Sequence, residues 1–326
     1  MRQRKFEKAG YTTSEIGLGC WQLGGDFGPV EDDRAFQILE AAVDNGINFF
    51  DTADVYGNGR SERLIGEYFR EQQQKPLIAT KYGRSGDVYP DKYSEDSLRR
   101  HVEEALERLN VECLDLLQLH CVPLVLIERQ EIFDWLRRIQ EEGLITAFGA
   151  SVESIAEAMA CLEQPDVVSL QIIFNIFRQK PLQQIMPKAL EQNVAIIVRL
   201  PLASGLLSGR FTADTQFAET DHRHYNRNGE FFSVGETLAG IPLETGVALV
   251  EELKTLLPQE RTLAASALRW ILDYPAVTTI IAGASNPNQV AQNAMAASLP
   301  PLDPEIHARL AAFYKEKVAP HVRADN

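Results

Sequence analysis

Residues 50–62 read FDTADVYGNGRSE: an apolar run enters Asp51, and Tyr56 follows five positions later in a loop of Gly and Asn. A carboxylate at the end of a buried strand is costly unless it is paired. The next apolar run, LIATK (77–81), ends in Lys81, and the one after it, LDLLQLH (114–120), ends in His120. Lys81 beside Asp51 would make a buried ion pair. The same ammonium beside a phenol favours phenolate, so Tyr56 is expected to fall from its ordinary pKa of about 10 and become a usable general acid. His120 is then placed to donate a hydrogen bond to a carbonyl oxygen. The set suits protonation of an oxygen while a carbonyl is reduced. Singly, each residue has a structural explanation: an internal ion pair, a satisfied strand-end histidine, a packed loop tyrosine. Three consecutive strand ends and the adjoining loop make chemistry the stronger explanation.

Such residues need a frame that brings strand ends together. Apolar runs rich in β-branched residues at 47–51, 77–81, 114–120, 145–149, 167–172, 194–200 and 277–283 read as strands buried on both faces, with EIGLG (15–19) a weaker eighth. Between them, DDRAFQILEAAVDNG, SEDSLRRHVEEALERLN and ERQEIFDWLRRIQEEG carry helical periodicity. The first and third end in glycine, and Ser94 with Ser97 starts the second. Strand then helix, eight times over, predicts a parallel (β/α)8 TIM barrel as one domain over residues 1–326. An open doubly wound sheet would carry GxGxxG after its first strand; GLGCWQLGG has Gln22 where the third glycine belongs. In a barrel the site lies at the C-terminal strand ends, which puts Asp51, Tyr56, Lys81 and His120 on one rim. Residues 211–244 lack a clear period but hold Phe211, Phe217, Tyr225, Phe231 and Phe232, and are read as a partly ordered cover over the barrel mouth. The tail from about 303, PEIHARLAAFYKEKVAP, is read as a closing helix.

Bulk properties narrow the partners. Lys and Arg total 32 against 46 Asp and Glu, a net charge of −14. That field repels nucleic acid and anionic membranes, so neither is an expected partner. No signal peptide and no apolar run of spanning length is legible. Cys20, Cys113, Cys121 and Cys161 form no CxxC pair, so a cytoplasmic protein with reduced thiols is expected. The charge suits a monomer and an oligomer alike. CVPLV after His120 points to a partly apolar pocket wall. His222 and His224 form an HxH pair with no Cys or carboxylate in ligand spacing; they are read as solvated loop residues, and no metal site is expected.

GINFFDTADVYGNGRSERLIG closely resembles a signature of the aldo-keto reductases, and the resemblance spans nearly the whole chain. It implies a (β/α)8 barrel that binds NADP(H) across its mouth and passes hydride to an aldehyde or ketone. Carried over residue by residue, that family's catalytic tetrad falls on Asp51, Tyr56, Lys81 and His120, with Tyr56 the proton donor. Ser151 in FGASVES and Gln171 in SLQIIFN resemble the residues that hold the carboxamide; Val152 stands where an Asn often follows the serine. RLPLASGLLSGRF resembles the loop over the pyrophosphate, which implies cofactor contacts at Arg199, Leu200, Pro201, Leu202, Ala203, Ser204 and Arg210. Arg199 replaces a frequent aromatic; its planar guanidinium can also stack, and would add positive charge over the ring. AGASNPNQVAQN (282–293) resembles the segment that grips the adenosine 2′-phosphate and adenine, implying Gly283, Ala284, Ser285, Gln289, Gln292 and Asn293. It holds no Lys or Arg, and its Ser/Gln version is similar to that of potassium-channel β subunits, which bind NADP(H); Arg210, Arg223 or Arg227 is a candidate for that charge. HRHYNRNGEFF resembles a cofactor-covering loop, and Trp21 is read as a wall of the cofactor or substrate pocket. The leading expectation is an NADP(H)-dependent reductase of a small-molecule carbonyl substrate. The alternatives are a redox-sensing cofactor-binding module like those β subunits, in which Asn replaces the histidine kept here as His120, and a Schiff-base lyase with Lys81 as nucleophile.

Overall fold

The computed structural model describes residues 1–72 and 74–324. An antiparallel hairpin, β1 (Gln3–Phe6) and β2 (Tyr11–Ser14), precedes a closed barrel of parallel strands. The barrel strands are β3 (Ile16–Gly19), β4 (Phe49–Asp51), β5 (Leu77–Tyr82), β6 (Leu114–His120), β7 (Ile145–Ser151), β8 (Val167–Ile173), β9 (Ala195–Arg199) and β10 (Val277–Gly283). Each pairs with the next, and β10 closes on β3. The eight runs read from sequence are these eight strands, and the closure excludes the open sheet.

Alternation along each strand decides what faces inward. On β6, Leu116 packs inside the barrel while Leu117 and Leu119 join the layer under the helices. Gln118 and His120 therefore share the inward face with Leu116. The same period pairs Phe49 with Asp51, Ala79 with Lys81, and Ile197 with Arg199. The lower interior is thus apolar and the upper level polar. Phe6 from the hairpin closes the lower end, its ring 5.8 Å from that of Phe49. This plug is absent from the sequence reading: QRKF and YTTS are four residues each, and only Phe6 of the first is buried.

The helix Glu95–Leu109 starts as expected, with Ser94 and Ser97 each accepting the other's backbone N–H at 3.1 Å. The single helix expected over 128–143 is instead Leu124–Glu128 and Glu131–Glu141, broken at Gln130, whose φ of 64° no helix accommodates. The cover is built from short turns, His222–Tyr225, Val234–Glu236 and Leu238–Gly240. Buried Asn226 staples it, accepting from Phe231 and Phe232 N–H and donating to Thr237 Oγ1 at 3.1 Å. The closing helix is Pro304–Phe313, after which Arg323 returns to the Gly240 carbonyl at 3.0 Å. Among the described residues no helix is long and apolar enough to cross a membrane.

Candidate active site

The barrel register brings the strand-end residues face to face: Lys81 lies opposite Gln118, and Ser151 lies opposite both His120 and Gln171. Lys81 Nζ donates to Asp51 Oδ1 at 2.6 Å, to the Thr52 carbonyl at 2.7 Å and to Tyr56 Oη at 3.2 Å. The other Asp51 oxygen accepts from Gln118 Nε2 at 2.9 Å and Gln171 Nε2 at 2.7 Å. The buried carboxylate therefore has a counterion and two amide donors, which offset its desolvation. Lys81 is enclosed by three oxygen partners and its side chain has no exposed surface. It is not presented as a nucleophile, which removes the support for a Schiff-base lyase.

Burial governs the electrostatics. It pushes the Tyr56 phenol up to about 12; Lys81 pulls it down and Asp51 pushes it up. The expected lowering is not met, because desolvation outweighs the ammonium. Burial also opposes the charge on Lys81, but Asp51 and Tyr56 together lift it above its ordinary value. His120 is held well below the ordinary histidine value by burial, then by Lys81 and Arg84. It is neutral, and its Nδ1 is enclosed with no partner among the described residues.

Tyr56 and His120 open onto one cavity of about 510 Å³ that runs past β9 to the segment after β10. Of the positions inferred for a cofactor, Trp21, Asp51, Gln171 and Arg199 line it at the barrel end. Leu200, Pro201, Leu202, Ser204 and Arg210 continue the wall, and Gly283 to Ser285 with Gln289, Gln292 and Asn293 complete it. Ser151 and Ala203 do not line it; Ser151 Oγ donates to Gln171 Oε1 at 3.3 Å and so orients that amide. Arg223 lines the cavity, stacked on Phe217 at 4.4 Å and tied to Asp221, whereas Arg227 is not part of the wall. Leu200, Ala203 and Ser204 all carry positive φ, between 50° and 55°, a cluster of strain typical of ligand clamps. With the amide-rich first turn of the helix Pro287–Met295, this wall fits a long phosphate-bearing nucleotide.

Several expectations change. CVPLV does not wall the cavity; Trp21, Phe27, Tyr89 and Phe232 do. Trp21 stacks on Tyr56 with ring centroids 5.8 Å apart, and its indole N–H is held by Asp26 at 3.0 Å. His222 is not solvated: it is buried, 4.7 Å from the Trp21 ring, and only His224 is exposed. Gln118 escaped notice, although the alternation that places His120 inward also places it there. Arg199 does not lie free over the site; its Nη1 is 3.2 Å from Glu236 Oε1. Cys121, Glu153 and Glu236 have ligand atoms within 4.8 Å of one another, but Arg84 and Arg199 already face those carboxylates. Burial holds the Cys121 thiol up at about 12, so the group is a charge cluster more than a cation site.

The Tyr56 loop is seated on Gly24. A Cβ at Gly24 would meet the Tyr56 carbonyl carbon at 2.6 Å and Gly57 N at 2.7 Å. Gly24→Ala must therefore displace the backbone that aims the phenol. The expected result is a loss of about 1–3 kcal/mol in chemical denaturation, with kcat lowered about tenfold or more because the Tyr56 hydroxyl is misaimed. Wild-type kcat in a destabilised variant would show that the loop is not what aims Tyr56.

The chain matches known proteins along nearly its full length. A family model described as the aldo/keto reductase family matches residues 15–315. The chain is 28% identical to the uncharacterized oxidoreductase YqkF of Bacillus subtilis, over 98% of each chain. It is 27% identical to a probable voltage-gated potassium channel subunit beta of Oryza sativa subsp. japonica, over 97% of this chain and 98% of that one. Its fold is similar to that of the aldo-keto reductase AKR11C1 of Bacillus halodurans in its holo form, with a TM-score of 0.78, 26% identity and 96% of each chain covered. The eight-stranded barrel, the cavity at its rim and the match across nearly the full length place this chain in the aldo/keto reductase family of oxidoreductases.

Proposed function

We propose that the chain is an NADP(H)-dependent carbonyl reductase in which Tyr56 gives its proton to the carbonyl oxygen. The observation that carries this assignment is the ordered network from Gln118 and Gln171 through Asp51 and Lys81 to the Tyr56 hydroxyl, which ends on the cavity shared with His120. When bound, the nicotinamide supplies the hydride to the carbonyl carbon. Tyr56, protonated far above neutrality, holds the proton that the oxygen takes as its negative charge develops. Lys81 sits where it stabilises the phenolate that remains. Neutral His120 donates to the same oxygen and fixes its position. Gln171, oriented by Ser151, and the wall from Leu200 to Arg210 hold the dinucleotide.

Because Trp21 lies on the cavity wall, its fluorescence reports occupancy. Titration is expected to quench it, with NADPH binding at least about tenfold more tightly than NADH, the worth of one charge-assisted phosphate contact. A carbonyl panel should then show NADPH oxidation. Absence of quenching with either nucleotide would remove the cofactor assignment. The similarity to a probable potassium channel subunit beta favours a second function, a cofactor-occupied redox sensor. Tight binding with no turnover of any carbonyl would support it.

A further inference from the structure

Beside His120 the cavity wall carries two guanidiniums and two carboxylates, with a third guanidinium packed behind them. Arg84, just past β5, and Arg199, at the end of β9, line the cavity together with Glu153 and Glu236. Glu236 Oε1 lies between the two guanidiniums, 2.8 Å from Arg84 Nη1 and 3.2 Å from Arg199 Nη1. Glu153 reaches Arg84 Nη2 only at 3.4 Å. The carboxylates are within 4.8 Å of each other, so one proton between them relieves their repulsion. Burial and then Glu236 push Glu153 up to about 8; burial opposes the charge on Glu236, but Arg84 and Arg199 hold it well below the usual range.

A third guanidinium, Arg178, is buried against Gly235 next to Glu236. It donates to the carbonyls of Gly235 and Ala239 and has no carboxylate partner among the described residues. Three guanidiniums, Arg84, Arg199 and Arg178, thus stand in one group with two carboxylates, Glu153 and Glu236, an excess of one positive charge even with both carboxylates ionised. Arg199 Nε is enclosed with no partner among the described residues. This surplus stands in a chain whose net charge is −14. Uncompensated buried charge is costly to keep, and an anion supplied from the cavity would compensate it.

We propose that this cluster recognises an anionic group on the substrate, so that the preferred substrate is an aldehyde or ketone bearing a carboxylate. The inference rests on the reductase function above. Arg84 is the accessible partner, its side chain 17% exposed against 9% for Arg199. The incoming carboxylate takes the edge of Arg84 that Glu153 holds only at 3.4 Å, while Glu236 keeps Arg199 in place. Arg199 and Arg178 add charge from behind.

The test compares 4-carboxybenzaldehyde with methyl 4-formylbenzoate, using the intact chain and NADPH. The ester is the more electrophilic aldehyde, so any preference for the acid comes from binding. The acid is expected to show kcat/KM at least about tenfold above the ester, and Arg84→Gln should bring that ratio toward one. Wild-type enzyme that reduces the ester as well as the acid would overturn the inference and leave the reductase function standing. An acid preference that Arg84→Gln leaves unchanged would overturn the assignment to this cluster. Failure to reduce either aldehyde or any other carbonyl would overturn the reductase function, and this inference with it.

Discussion

Tyr56→Phe is expected to lower kcat for carbonyl reduction by about 10²- to 10⁴-fold, the range that a positioned general acid contributes. The substitution is close to a pure test of the hydroxyl. Phenylalanine keeps the ring that stacks on Trp21 at 5.8 Å and lies 4.8 Å from the Lys81 ammonium. Lys81 loses one acceptor but keeps Asp51 and the Thr52 carbonyl, so no charge is stranded. Stability should accordingly change by no more than about 1 kcal/mol, and the NADPH quenching curve should be nearly that of the wild type. Steady-state kinetics and the titration together decide the matter. Activity close to wild type would take the proton donor's role away from Tyr56.

The pH profile of the unaltered enzyme follows from the same residue. With its phenol pushed up to about 12 by burial, Tyr56 stays protonated through the whole neutral and mildly alkaline range. Reduction needs that protonated form, so its rate should be level there and fall only toward that value. Alcohol oxidation needs the phenolate, so it should rise by about tenfold per pH unit over the alkaline range. His120 adds no acid limb near neutrality, since burial, Lys81 and Arg84 hold it well below its ordinary value.

Asp51, Lys81 and His120 could be read from sequence because each ends an apolar run, and a barrel collects such ends on one rim. Gln118 obeys the same period-two rule, two residues before His120, but an amide inside a leucine-rich strand carries no charge to mark it. The Arg84–Glu236 pair spans 152 positions, and Glu236 lies in a segment with no period, so only closure of the chain reveals the contact. His222 shows the reverse failure. Its polar neighbours in sequence suggested solvent, but its neighbours in space are Trp21, Phe27 and Phe232. The Tyr56 phenol differs from expectation for the same reason: the proximity of Lys81 follows from strand order, whereas the phenol's burial involves Trp21 stacked on its ring, itself packed against His222 and Phe232 from the cover. What sequence order sets was legible, and what packing depth sets was not.

Lys81→Met should affect stability and rate together, and the two effects can be separated. Methionine fills most of the space but removes the charge and the hydrogen bonds to Asp51, Thr52 and Tyr56. Asp51 keeps its two amide donors and loses its counterion, which in a buried pair costs about 3–5 kcal/mol. Adding Asp51→Asn removes the stranded charge, so the double variant should recover all but about 1–2 kcal/mol of that loss. Its rate should not recover. The phenolate left when Tyr56 gives up its proton no longer has a cation beside it, a deficit of about 10²- to 10³-fold in kcat. The wild type carries a further mark. Burial opposes the Lys81 charge, but Asp51 and Tyr56 lift its pKa above the ordinary 10.5. The stability linked to that ammonium is whole below the ordinary value and is lost only as pH climbs through the raised one. Denaturation curves should therefore fall at high pH for the wild type, with that component missing in Lys81→Met. If the double variant regained rate along with stability, Lys81 would be a structural partner of Asp51 with no hold on Tyr56.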